Sequence, residues 1–191
     1  MDSFNFVFSL FGLLLGLALA EVLGGFGAAI QERRKVKIGW LTPLLGLVVA
    51  CDLTTFWSWA WVSRKVVSPA YLVLLGALVV TGLYYLAARL VFPHDRDEWP
   101  DYDVYYFGHR RWVIGGILTC NILLSAGQMS LGFNPFLLRM DQVSAAMFYA
   151  LGIALMLVRD RRISIALLIA WLAQYPAVAV YSYLNHCGGA C

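Results

Sequence analysis

Six apolar segments, each long enough to cross a bilayer, constrain the fold of this chain more than any other feature. A membrane-spanning helix needs about 20 mostly apolar residues. Hydrophobic residues make up 61% of the chain, charged residues 13%, and the mean hydropathy is +0.74. The sequence therefore predicts an all-α integral membrane protein, a bundle of six transmembrane helices in a single domain over residues 1–191. The predicted spans are residues 5–30, 43–62, 69–91, 112–131, 135–158 and 163–184.

Capping residues followed by proline mark the start of three spans. They are Thr42-Pro43, Ser68-Pro69 and Asn134-Pro135, and proline at the first helical position loses no hydrogen bond. The longest predicted connection, residues 92–111, alternates acidic with aromatic residues and reads as a solvated, interfacial loop.

The basic residues orient the bundle. They concentrate in the connections that follow spans one, three and five, and positively charged connections remain in the cytoplasm. Both termini are therefore expected on the non-cytoplasmic side of a plasma membrane, for which a bacterial inner membrane is the simplest setting. The residues on the cytoplasmic side are Arg33, Arg34, Lys35, Lys37, Arg89, Arg96, Arg110, Arg111, Arg159, Arg161 and Arg162, against Arg64, Lys65 and Arg139 on the other.

Two acidic residues, Glu21 and Asp52, lie inside apolar spans. A carboxylate near the bilayer centre costs about 2.5–3.5 kcal/mol on insertion scales, so such residues mark ion or proton pathways. Both are about ten residues from the cytoplasmic ends of their helices, so they are expected at similar depth and close together. No Lys, Arg or His lies mid-span, and the sequence therefore predicts that neither acid is paired with a cation of this chain. A neutral acid that only donates a hydrogen bond remains the alternative.

Other polar residues on the predicted spans are candidates for the lining of an ion path. Thr55 shares the helix face of Asp52, and three polar residues of span four recur on one face at helical spacing. In span six, the polar residues Gln174 and Tyr175 are followed by Pro176, which frees a backbone carbonyl. Ordinary helix packing explains the same residues equally well. Besides Thr55, the candidate lining residues are Asn121, Ser125, Gln128, Gln174 and Tyr175.

Span one also carries small residues at every fourth position. Such a ridge lets another helix approach closely, either within the bundle or from a second chain. We expect it to support a homo-oligomer or the binding of a partner membrane subunit. The ridge consists of Gly12, Gly16, Ala20, Gly24 and Ala28.

The cysteines divide into two groups. Cys51 and Cys120 lie mid-span and are expected to be small core residues. Cys187 and Cys191 lie in the tail, where a disulfide is expected if the compartment is oxidising. Metal binding that also uses His186 is the alternative. No metal site or cofactor is predicted, and all three histidines lie outside the spans.

Two classes of function fit these features. The first is a proton- or cation-conducting channel or transporter that uses the intramembrane carboxylates. The second is a non-catalytic membrane subunit or sensor that packs against partner helices. An enzyme is less consistent with the sequence, which has no H-E-x-x-H, phosphate loop or G-x-S-x-G. Nucleic acid is not an expected partner, since the basic residues are scattered in short connections beside the lipid bilayer.

Overall fold

A computed structural model of the chain describes residues 3–34, 36–62, 70–95, 98–99, 101–130, 132, 136 and 139–187. These residues form six helices, each long and apolar enough to cross a membrane. The predicted all-helical fold with six candidate spans is thus confirmed. The helices are α1 (Ser3–Glu32), α2 (Leu41–Val62), α3 (Tyr71–Arg89), α4 (Tyr102–Ser130), α5 (Arg139–Leu157) and α6 (Arg161–Cys187).

Successive helices alternate in direction, with α2 at the centre of the bundle. Helix α2 packs against α1, α3, α4 and α6, while α1 also packs against α3 and α5 against α4 and α6. The connections 33–40, 90–101 and 158–160 meet at one end, which we call the basic end. The amino ends of α1, α3 and α5 and the carboxyl ends of α2, α4 and α6 lie at the other, which we call the terminal end.

Helix α4 begins at Tyr102 rather than near residue 112, so the predicted loop 92–111 is wrong in its second half. Asp101 caps the helix by accepting a hydrogen bond from the Asp103 amide at 2.9 Å. The first turns bury Tyr102 and Tyr106, which are each 1% exposed. The hydropathy of the sequence did not indicate that the helix includes these turns, because they also carry charged residues.

Asp103 joins the starts of three helices at the basic end. Its Oδ1 accepts a hydrogen bond from the Leu41 amide at 3.2 Å, and its Oδ2 pairs with Arg161 at 2.7 Å. A Cβ on Gly39 would lie 1.8 Å from this carboxylate, so the close approach requires glycine.

The predicted cap at Thr42 is also wrong, because α2 already begins at Leu41. The Thr42 hydroxyl instead donates to the Tyr102 carbonyl at 2.7 Å. The other two predicted starts, Ser68-Pro69 and Asn134-Pro135, lie outside the described residues.

Side chains also cap the turn between α5 and α6. Asp160 Oδ1 accepts hydrogen bonds from the amides of Arg162 and Ile163 at the start of α6. Arg110 donates to the Val158 carbonyl and Arg111 to the Met156 carbonyl, which satisfies groups at the end of α5. The basic end is therefore held by side-chain contacts between connections that are distant in sequence.

Candidate functional site

A cavity of about 360 Å³ lies between α2, α4, α5 and α6, and we call it the polar cavity after the polar residues grouped in it, although more of its lining surface is apolar than polar. Its lining residues occupy the carboxyl-terminal halves of α2, α4 and α6 and the amino-terminal part of α5, so it extends toward the terminal end of the bundle. Seven residues singled out in the sequence line it together: Asp52, Thr55, Asn121, Ser125, Gln128, Gln174 and Tyr175.

Asp52 is the innermost charged group of the cavity and is only 3% exposed. Its Oδ2 accepts hydrogen bonds from the Tyr84 hydroxyl at 2.6 Å and the Asn121 amide at 3.1 Å. Its Oδ1 accepts one from the Tyr175 hydroxyl at 3.2 Å. All three donors are neutral, so they compensate part of the desolvation of the carboxylate without cancelling its charge.

An apolar layer follows the cavity-lining residues of α2 and α4 on the side of the basic end. On α2 and α4 it occupies the turns that precede Asp52 and Asn121, and we call it the apolar seal. It consists of the buried residues Leu45, Val48, Val49, Val113, Ile114 and Ile117. The polar side chains therefore lie toward the terminal end, and buried apolar side chains take their place toward the basic end.

Gln174 lines the cavity and has one buried polar atom without a hydrogen-bond partner among the described residues. Its Nε2 donates to the Ser144 carbonyl at 2.5 Å and to the Ser144 hydroxyl at 3.0 Å, which fixes the orientation of the amide. Its Oε1 is buried and accepts no hydrogen bond from the described residues. An unpaired buried acceptor of this kind costs about 1–3 kcal/mol.

Glu21 lies outside the polar cavity and has a cationic partner in the same chain. Its Oε1 pairs with Arg89 at 2.8 Å and accepts a longer hydrogen bond from the Tyr85 hydroxyl at 3.4 Å. The expectation that no basic residue of this chain neutralises an intramembrane acid is therefore wrong for Glu21. Helix α3 ends at Arg89 while the parallel helix α1 continues to Glu32, so Glu21 is level with the end of α3 and within reach of the long arginine side chain.

The two acids use different faces of α3. Asp52 bonds Tyr84 and Glu21 bonds Tyr85, and adjacent helical residues point about 100° apart. The hydrogen bonds of Asp52 and Glu21 therefore belong to separate groups of residues.

The small-residue ridge of α1 faces away from the helices of its own chain. A Cβ added at Gly12, Gly16 or Gly24 would meet nothing within 4 Å. Residues Gly16, Ala20 and Gly24 are exposed, and Ala28 and Gly12 are partly so. Helix α1 instead uses another face for packing in the bundle, with Phe11, Leu15, Ala18, Val22 and Ala29 buried.

The proposed tail disulfide lies outside what the structure describes, because Cys191 and the side chain of Cys187 are beyond it. Cys51 and Cys120 are free thiols, of which Cys120 is buried as expected for a core residue and Cys51 is only partly buried. The Cys120 thiol donates to the Val80 carbonyl at 3.4 Å.

Sequence reasoning missed several members of the site. Tyr84, the closest partner of Asp52, was overlooked because tyrosines are common in membrane helices. The feature of the sequence that could have indicated Tyr84 is its hydroxyl group, which lies on a span with few other polar side chains. The sequence analysis also missed the remaining polar residues of the lining, which are Ser58, Asp141, Ser144, Tyr149 and Ser182.

Comparisons with protein-family models, curated proteins and solved structures found no match to this chain. The residues of the cavity are therefore what indicate its chemistry. Among the described residues, no group of three or more His, Cys, Asp or Glu side chains is placed to hold a metal ion.

Proposed function

We propose that this protein is a small multi-pass transporter for protons or cations, in which Asp52 binds the transported species. The observation that carries the proposal is a buried carboxylate at the inner end of a polar cavity, bonded to three neutral donors. Burying such a charge in a membrane protein is costly, and its position in a wet path is typical of ion and proton binding groups.

Two features favour a transporter over an open channel. The apolar seal places buried apolar side chains on the basic-end side of the cavity, as expected for one state of an alternating-access cycle. Pro176 interrupts the hydrogen bonds of α6 directly after Gln174 and Tyr175 of the cavity wall. Such a position can bend when the seal opens.

The positive-inside rule gives the proposed direction of access. The basic end carries most of the Lys and Arg residues and would face the cytoplasm. The cavity would then open to the outside of a plasma membrane, on the side of both termini.

Ion flux in liposomes tests the proposal. We expect Asp52→Asn to abolish flux of protons or of alkali cations, because the amide cannot take up a positive charge. Glu21→Gln is the matched control, since it removes an intramembrane carboxylate that already has Arg89 as a partner. Loss of flux in both variants, or in neither, would contradict the proposed role of Asp52.

A second candidate function rests on the small-residue ridge of α1. Its open position on the surface supports a role as a membrane subunit that packs against a partner helix, either of a second copy or of another protein. This role is compatible with transport, because the ridge and the polar cavity use different helices.

A further inference from the structure

We propose that the ligand of the polar cavity is an organic ammonium ion, with its N–H donors directed to Asp52 and Gln174 and its hydrocarbon part against the aromatic wall. This inference rests on the proposed function and names the class of cation that the site takes. Its basis is the combination of volume, acceptors and aromatic lining in one cavity.

The volume leaves room for a ligand much larger than a bare ion. At about 360 Å³ the cavity equals roughly twelve liquid water molecules and falls at the lower end of the range for small-molecule sites. A monatomic cation would leave most of this space to water. A molecule that carries a hydrocarbon group beside its charge would fill it.

The acceptors suit an ammonium group. Asp52 supplies the negative charge, and the three side chains that donate hydrogen bonds to it are neutral. Gln174 Oε1 adds a buried acceptor without a partner among the described residues. A primary ammonium has three N–H donors and no acceptor, which matches a carboxylate and a second unpaired acceptor on residues that line the same cavity.

The walls suit the rest of the ligand. Phe148 and Tyr149 both line the cavity and pack edge to face against each other, with ring centroids 5.5 Å apart. Phe148 also packs edge to face against Trp171, with ring centroids 5.1 Å apart. Aromatic faces attract organic cations and pack against hydrocarbon groups. No lysine, arginine or histidine occurs among the described residues that line the cavity, so none repels a cation from the wall.

Calorimetric titration of the full-length protein in detergent tests this inference with three probes. They are phenethylammonium, its neutral counterpart 2-phenylethanol and its quaternary counterpart phenethyltrimethylammonium. We expect phenethylammonium to bind at least about tenfold more tightly than the alcohol, because charge-assisted hydrogen bonds are the strong ones. The quaternary ion lacks N–H donors and should bind more weakly than the primary one. Equal affinity for the alcohol and the ammonium ion would overturn the inference.

Two substitutions locate the binding. Asp52→Asn should remove the preference for ammonium over alcohol, whereas Glu98→Gln, an exposed acid near the basic end, should leave it unchanged. Gln174→Met keeps the shape but removes the acceptor, so it should abolish the preference for the primary over the quaternary ion. If Asp52→Asn does not fold, the Gln174→Met result decides. An unchanged preference in Gln174→Met would overturn the assigned site.

The outcomes separate this inference from the proposed function. Flux of protons or sodium that depends on Asp52, without phenethylammonium binding, would overturn the ligand class and leave transport standing. Asp52-dependent binding of phenethylammonium without its uptake into liposomes, and without any ion flux, would support the ligand class and contradict transport.

Discussion

The hydroxyl of Tyr84 donates a 2.6 Å hydrogen bond to Oδ2 of Asp52, and the two side chains are 1% and 3% exposed. The Asn121 amide closes a triangle, with 3.1 Å to each of them. The three residues lie on α3, α2 and α4. The same carboxylate that is proposed to bind the cation therefore also ties three helices together.

We predict that Tyr84→Phe destabilises the protein by about 1–3 kcal/mol, because it leaves a buried carboxylate short of one donor. Tyr85→Phe is the matched control, since the neighbouring hydroxyl makes only a 3.4 Å contact with Glu21. Chemical unfolding in detergent micelles measures both. Equal stability of the two variants would mean that the Tyr84 hydrogen bond contributes little.

Much of this site was visible in the sequence, because polar residues are rare enough in membrane spans to be conspicuous. Asp52, Asn121 and Gln174 could be selected on that ground alone. The pairing of Glu21 with Arg89 could not, because it depends on how far α1 extends past the end of α3. Spacing along one helix carries no information about its offset from a neighbour.

The start of α4 shows a second limit of sequence reasoning. Its first turns mix buried tyrosines with charged residues such as Asp103 and Arg110, which contact groups on α2, on α6 and in the turn after α5. The mean hydropathy of a sequence window is lowered by those charged residues, as it would be if they were exposed to water. Only the tertiary contacts show that the helix continues through them.

We predict a pH-dependent contribution to stability at Asp101. Partial burial acts to raise the pKa of Asp101, but hydrogen bonds from Lys37 at 2.9 Å and from the Asp103 amide, with the lysine charge, lower it below its ordinary value of 3.8. A lowered folded pKa stabilises the protein at pH values above the ordinary pKa, and this contribution is lost as pH falls through the folded value. The exposure of Lys37 limits it to about 1 kcal/mol or less.

Asp101→Asn isolates this charge, because asparagine still caps a helix. The difference in unfolding free energy from the native protein should be present at neutral pH and vanish in acid, with Glu98→Gln as the control. A difference that is the same at every pH would show that the cap rather than the ion pair is responsible.

The proposed topology predicts which cysteines are accessible from outside. In intact cells kept under reducing conditions, a membrane-impermeant maleimide should label Cys187 and Cys191. Cys51 and Cys120 serve as internal controls, since they lie within the bundle and should react only after denaturation. Protection of the tail cysteines until the membrane is permeabilised would reverse the orientation.

The proposed self-association through the α1 ridge predicts that Gly16→Leu combined with Gly24→Leu lowers the mass of the protein in detergent without lowering its stability. Close approach of a second helix becomes impossible, yet a side chain at either position meets nothing in its own chain. Light scattering measures the mass. Gly76→Leu on α3, also in open space, is the control. A double variant with unchanged mass would place the ridge against lipid.

The contacts of Asp103 have a consequence for the order in which the chain is completed. This carboxylate bonds the amide of Leu41 and the guanidinium of Arg161, so its coordination is finished only when the sixth helix has been synthesised. The same late helix brings Gln174 and Tyr175 to the cavity wall. A nascent chain released before residue 161 would therefore lack both the Arg161 partner of Asp103 and two of the residues that line the cavity.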